Sequence, residues 1–157
     1  MTPPFRYDTS VFIADTTCFG TVYFARYFEW QGRVREMFFR SVVPNFLELV
    51  NAGYRLLTVE ASMRYVKELP YAEWLTIELD VEALQATSLA LRFAFLRGHD
   101  EPIGLGHQRL VLTDREGHPV KIPEDVRRRL EPFLVGLSAP PENVGGAQAG
   151  QPSGIAA

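Results

Sequence analysis

Tyr27, Gln31 and Arg35 recur at every fourth position of the segment YFEWQGRVREMFF, residues 27–39. In an α-helix at 100° per residue, that spacing stacks three polar heads along one line. The line runs through the sector that also holds Phe24, Phe28, Val34 and Phe38, the face expected to pack on the rest of the protein. A guanidinium there is expensive to desolvate unless it is paired or reaches a wet pocket. Three readings of Arg35 stay open: its head snorkels to an edge, it joins a buried ion pair, or it lines a cleft as a functional cation. Its available chemistry is charge stabilisation or the positioning of water, not base catalysis, because arginine stays protonated. The row of three polar heads favours a cleft or tunnel along the helix.

The neighbouring charges have simpler places. Arg26, Glu29, Arg33, Glu36 and Arg40 fall in one narrow sector with alternating signs at spacings of three and four. That is a ladder of exposed pairs worth about 0.3 kcal/mol each, and it accounts for Glu36 without a catalytic role. His99 and His118 fall in turn sequences and His107 in a strand, none with a Ser or Cys partner in a recognisable motif. One cysteine and three scattered histidines give no metal-ligand spacing, and no glycine-rich phosphate loop appears, so neither metal nor cofactor is implied. Cys18 reads as a small buried thiol. A single thiol excludes an internal disulfide and fits a reducing cytoplasm.

The formal net charge of −3 speaks against a nucleic-acid binder. The one basic cluster, Arg127–Arg129, reads as a solvated helix end. No apolar run approaches the roughly 18 residues of a membrane span, and MTPPFRYDTS lacks the basic start and apolar core of a signal peptide. The expectation is a cytoplasmic protein.

The elements that must position these groups follow from periodicity. A first strand is expected over Phe5–Ile13, a turn over Thr16–Gly20, a helix of about five turns over Tyr23–Ser41 and a short helix over Val43–Asn51. The period then changes to two. Arg55–Lys67, Glu73–Glu82, Ser88–Arg97 and Leu105–Thr113 read as strands; Leu75, Ile77, Leu79 and Val81 share one face, as do Leu89, Leu91, Phe93 and Phe95. A last helix is expected over Pro123–Phe133. These elements make an α+β domain over residues 1–137, an antiparallel sheet of about five strands packed on one long helix. Residues 138–157, SAPPENVGGAQAGQPSGIAA, lack apolar periodicity and are expected to be a disordered tail.

Asp15–Trp30, DTTCFGTVYFARYFEW, resembles the opening segment of hotdog-fold thioesterases of the 4-hydroxybenzoyl-CoA thioesterase type. The shared pattern is an acidic turn, a glycine and a tyrosine-containing helix start, here Gly20–Phe24 followed by Tyr27, and the resemblance runs over roughly residues 5–133. Members usually carry a catalytic aspartate three positions before that glycine, where this chain has Thr17. WQGRVREMFF, Trp30–Phe39, and RLLTVEA, Arg55–Ala61, are similar to a subgroup that also lacks the aspartate: the thioesterases accompanying the iterative polyketide synthases of enediyne pathways.

The resemblance implies a hotdog fold, with the sheet wrapped around the long central helix. It implies that Arg35, Thr58 and Thr17 line the reaction centre, the last usually being Asn in the subgroup. Thr58 read alone is an ordinary β-branched strand residue. Tyr27 is then expected beside the acyl chain, with Tyr23, Phe24 and Gln31 also facing substrate. Backbone N–H groups near Tyr23 and Phe24, at the positive end of the helix, would hold the oxyanion. The implied substrate is a polyenoyl or 3-oxoacyl thioester on the phosphopantetheine arm of an acyl carrier protein. A released 3-oxo acid loses CO2 readily, giving a polyene or methyl ketone. Arg64, Lys67 and Arg92 are candidates for contacting the carrier. Hotdog sheets pair edge to edge, which implies a homodimer or homotetramer with active sites at subunit boundaries. The competing expectations are a general acyl-CoA thioesterase and a non-catalytic acyl-binding accessory protein, with a hotdog dehydratase a more distant third.

Overall fold

The structure, a computed structural model, describes residues 2–135, so the expected tail at 138–157 lies outside the described residues. In chain order the elements are β1 (Phe5–Ser10), a 3-10 turn (Ile13–Asp15), α1 (Arg26–Val42), α2 (Phe46–Asn51), β2 (Arg55–Tyr65), β3 (Trp74–Leu84), β4 (Ser88–Arg97), β5 (Glu101–Thr113), α3 (Glu124–Leu130) and a 3-10 turn (Glu131–Phe133). The strands form one antiparallel sheet in the order β1-β3-β4-β5-β2. β1 and β2 are therefore its edges.

The alternation in β3 and β4 places Leu75, Ile77, Leu79, Val81, Leu89, Leu91, Phe93 and Phe95 in the core. α1 meets that face with Tyr27, Trp30, Gln31, Val34, Phe38 and Phe39 buried. The expected helix stripe is shifted by this result. Phe24 precedes the helix and is 57% exposed, and Phe28 lies at the edge of the buried arc, 37% exposed. Trp30 and Phe39 take their places: Trp30 packs edge-on against Tyr27, with ring centroids 5.4 Å apart, and Phe39 stacks on Phe46 of α2 at 6.1 Å.

Three boundaries differ from the periodic reading in ways that local contacts explain. β1 stops at Ser10 because Asp15 Oδ2 accepts from the Phe12 N–H at 2.9 Å and folds residues 12–15 into a turn. α1 begins at Arg26 rather than Tyr23 because the preceding N–H groups are already engaged. Val22 donates to the Leu69 carbonyl and Tyr23 to that of Asp15, both at 2.9 Å. β5 begins four residues earlier than the pattern suggests, at Glu101. Pro102, which has no N–H to give, sits where the β4–β5 register shifts between Phe95 and Leu96.

Candidate functional site

Arg35 projects from the middle of α1 and is half-buried. Its Nη1 donates to Thr58 Oγ1 at 2.6 Å and to Gln108 Oε1 at 2.9 Å. Gln108 Nε2 donates to Gln31 Oε1 at 3.1 Å, and Gln31 Nε2 donates to the Ser62 carbonyl at 3.1 Å. Helix α1 and strands β2 and β5 are thus joined by one polar run that leads from the buried Gln31–Gln108 pair out to exposed Thr58. Thr58 is placed by a bulge: the β2–β5 register shifts between Thr58 and Glu60, which re-aims the side chains there. Gln31 fits because β5 carries a glycine opposite it; a Cβ at Gly106 would collide with the Gln31 amide.

Burial pushes the pKa of Arg35 down and the nearby Glu36 pushes it up; the group stays cationic at any pH of interest. No carboxylate bonds it among the described residues, because Glu36 turns to Arg40 at 3.6 Å. Together with Arg26–Glu29 at 2.6 Å, that contact realises part of the expected exposed ladder. Of the three readings of Arg35, the ion pair is therefore absent from the described residues; the side chain reaches exposed Thr58 on edge strand β2 and also lines a cavity.

That cavity has a volume of about 410 Å3 and opens between α1, α2, β2 and α3. Arg35 and Gly32 lie on one wall, with Phe39, Phe46, Leu56 and Val126 among its apolar lining. A second cavity of about 340 Å3 lies at the other end of α1, lined by Phe24, Tyr27, Tyr65 and Lys67 among others. Tyr27 packs edge-on against Tyr65 and Phe95, with centroids 5.1 and 5.2 Å away. Burial, aided by Tyr65, pushes its pKa up to about 12, so it is a neutral phenol at ordinary pH.

The residues singled out in the sequence therefore divide. Arg35 and Thr58 meet directly. Gln31 is fully buried between the two cavities and lines neither, so the expected continuous track is two chambers with an amide between them. Tyr27 and Phe24 belong to the second chamber; Tyr23 is exposed and packs on Phe24 at 4.7 Å. Thr17 sits in the turn before the helix, where its hydroxyl accepts from the Phe19 N–H at 3.2 Å, and it lines neither cavity. Arg35 lies nine positions beyond the first residue of α1, Arg26, roughly 14 Å along the helix, and Phe24 precedes that helix, so one subunit does not bring the two to a common carbonyl. The Tyr23 N–H expected at the oxyanion is committed to Asp15, while the Phe24 N–H has no acceptor among the described residues.

Gln108 is the residue the sequence reading missed. It occupies the same phase of β5 as Leu110 and is 6% exposed. A polar residue on the apolar phase of a strand is the same signal that singled out Arg35. One other expectation is corrected. Cys18 is exposed, because the turn that carries it points outward. Lys67 and Arg92 are paired, with Glu101 at 2.8 Å and Asp80 at 2.7 Å. His107 and His118 each face a carboxylate. No group of side chains that could hold a metal occurs among the described residues.

The model of the thioesterase-like superfamily matches residues 11–130. The chain belongs to that superfamily. It is a thioester hydrolase of the hotdog fold. Among solved structures, the dynemicin thioesterase, studied for induced fit on polyene binding, is 26% identical with a TM-score of 0.79, covering 85% of this chain and 99% of that one. A gentisyl-coenzyme A thioesterase is 23% identical with a TM-score of 0.70, covering 80% and 98%. A 1,4-dihydroxy-2-naphthoyl-CoA thioesterase from Synechocystis is 17% identical with a TM-score of 0.73, covering 80% and 94%. The last two likenesses speak to the fold alone. No curated protein matches the chain.

Proposed function

We propose that this superfamily member hydrolyses a polyenoyl or 3-oxoacyl thioester carried on the phosphopantetheine arm of an acyl carrier protein domain of an iterative polyketide synthase. The observation that carries the reading is Arg35: an unpaired guanidinium at the wall of an apolar cavity, bonded to Thr58 and to no carboxylate among the described residues. The likeness to the dynemicin thioesterase, whose structures concern polyene binding, supports the choice of chain.

In the reaction, water adds to the thioester carbonyl, the C–S bond breaks, and a carboxylate, a thiol and one proton result. Negative charge develops on the carbonyl oxygen, and a fixed cation with aligned donors lowers that barrier. Arg35 supplies the charge without moving a proton, and the Thr58 hydroxyl holds the water or the carbonyl. A released 3-oxo acid then loses CO2 to a polyene or methyl ketone.

Thr17, Tyr23 and Phe24 precede the start of α1, far from Arg35 in its middle, so we place them in the site through a second copy of the chain. Edge strand β2 supports this arrangement. Leu57 and Val59 flank Thr58 and are about half exposed, at 44% and 50%. Pairing of two β2 edges would cover them and bring two sets of site residues together. The protein is then a homodimer, or a tetramer of two such dimers, acting as a single domain over residues 1–137 in the cytoplasm. Tyr27 and Phe24 would line the acyl path, with Gln31 holding Gln108 in place. Of the expected carrier contacts, Arg64 makes no ion pair among the described residues.

The test is hydrolysis of one acyl chain on carrier protein and on coenzyme A. Fast turnover of the carrier-bound chain supports the reading, and preference for the coenzyme A ester makes the protein a general acyl-CoA thioesterase. Turnover of neither leaves a non-catalytic acyl-binding role.

A further inference from the structure

Arg35 lines its cavity with no carboxylate bonded to it; Glu36, on the same wall and near enough to raise its pKa, turns to Arg40 at 3.6 Å. Both of its hydrogen bonds leave from Nη1 and end on neutral oxygens, Thr58 Oγ1 and Gln108 Oε1. Nε and Nη2 donate to nothing among the described residues. By contrast Arg6, Arg26, Arg40, Arg92 and Arg97 each hold a carboxylate. The groups behind Arg35 supply no acid either. Gln108 gives its Nε2 to Gln31, and Gln31 gives its Nε2 to the Ser62 carbonyl. Because that run ends on a backbone carbonyl, which only accepts, the orientation of both amides is set, and Gln108 turns its oxygen to Arg35.

An acid at position 108 would be the ordinary partner for a half-buried guanidinium, and it would use up the charge. An amide of the same shape supplies the geometry and leaves the charge unspent. Beside it lies the 410 Å3 cavity, mostly apolar in its lining, with Glu36 and Arg55 also on its wall. A cation at one wall of an apolar chamber is complementary to a molecule with an anionic head and an apolar tail. The Nε and Nη2 edge is the face that grips a carboxylate through two parallel bonds.

We propose that this cavity is a receptor for a free carboxylic acid with an extended apolar tail, its carboxylate held by Nε and Nη2 of Arg35. Gln108 is the positioning residue that aims the guanidinium and leaves it without a bonded carboxylate. The proposal rests on the thioesterase reading in one respect: thioester hydrolysis leaves such an acid at this cation, so a product that keeps its carboxylate is retained and slows turnover as it accumulates.

The test compares two ligands with equal tails, dodecanoic acid and 1-dodecanol, bound by the full chain at neutral pH and followed by titration calorimetry. The wild-type protein is expected to bind the acid about tenfold more tightly than the alcohol or better. Gln108→Glu, which keeps the shape and adds the missing anion, is expected to keep its alcohol affinity within about twofold and to lose the preference for the acid. A merely structural Gln108 would weaken both ligands alike, and that result overturns its role. Should Gln108→Glu not fold, Arg35→Met is expected to bind acid and alcohol equally. A wild-type protein that does not distinguish acid from alcohol, or binds neither, overturns the receptor. Hydrolysis of an acyl thioester measured on the same sample separates the two readings. Turnover without acid preference removes the receptor and spares the thioesterase. Acid preference without turnover does the reverse.

Discussion

Arg35 and Thr58 share one short hydrogen bond, and the two side chains have different consequences when changed. Arg35→Ala removes the cation from the cavity wall and is expected to lower kcat/KM by about 100-fold or more, the usual cost of losing a charge-stabilising donor. Thr58→Val keeps the β-branched shape that suits the strand and removes only the hydroxyl, so kcat should fall about tenfold with the melting temperature little changed. Steady-state kinetics on carrier-bound substrate, with a thermal melt of each variant, check both. Tyr27 gives a pH prediction. Its folded-state pKa of about 12 lies above the ordinary 10.0, so the folded state holds this proton more tightly than the unfolded chain. The contribution to stability is fully present below about pH 10 and is lost as pH rises from there through about 12. Denaturant melts of the wild type and Tyr27→Phe over that interval should diverge, with the wild type losing more stability.

At the scale of elements, what the sequence disclosed depended on how far the deciding contacts reach. β3 and β4 were legible because alternation is a local signal: Leu75 to Val81 and Leu89 to Phe95 bury one face without help from distant residues. Arg35 was legible as an anomaly because the helix period shows which sector it occupies. The helix start was not, since it is set by bonds to Leu69 and Asp15 that no periodicity encodes. Gln108 escaped notice because a glutamine within a strand reads as a solvated residue until the helix above it is placed. The same holds for Gly106, whose missing side chain makes room for Gln31 across the helix–sheet interface. Gly106→Ala should therefore displace the Gln31 amide and destabilise the protein by about 1–3 kcal/mol, visible as a lower melting temperature. If the melting temperature were unchanged, the close approach of helix and sheet would not be what selects glycine there.

For the whole molecule, the spread of site residues along α1 matters most. Thr17, Tyr23 and Phe24 precede the start of α1, Arg35 lines the cavity farther along it and bonds Thr58, and Gln31 fills the interior between. On the proposed reading these are two half-sites, and with the apolar edge strand β2 they suit a dimer in which each copy completes the other. Val59→Arg on that edge is expected to give monomers by analytical ultracentrifugation and to abolish turnover together with assembly. Monomers that retain full turnover would mean that one chain holds the whole site. The monomer fold itself should survive, because the five-strand sheet and its core are complete within one chain.

The central claim is that a cation replaces a carboxylate at the reacting carbonyl. It is tested most directly by single-turnover hydrolysis of a polyenoyl chain on its carrier protein by wild type, Arg35→Ala and Arg35→Lys. The account predicts a fall of about 100-fold or more for alanine and partial retention for lysine, which keeps the charge and loses the fork. Wild-type rates in folded Arg35→Ala protein would contradict it.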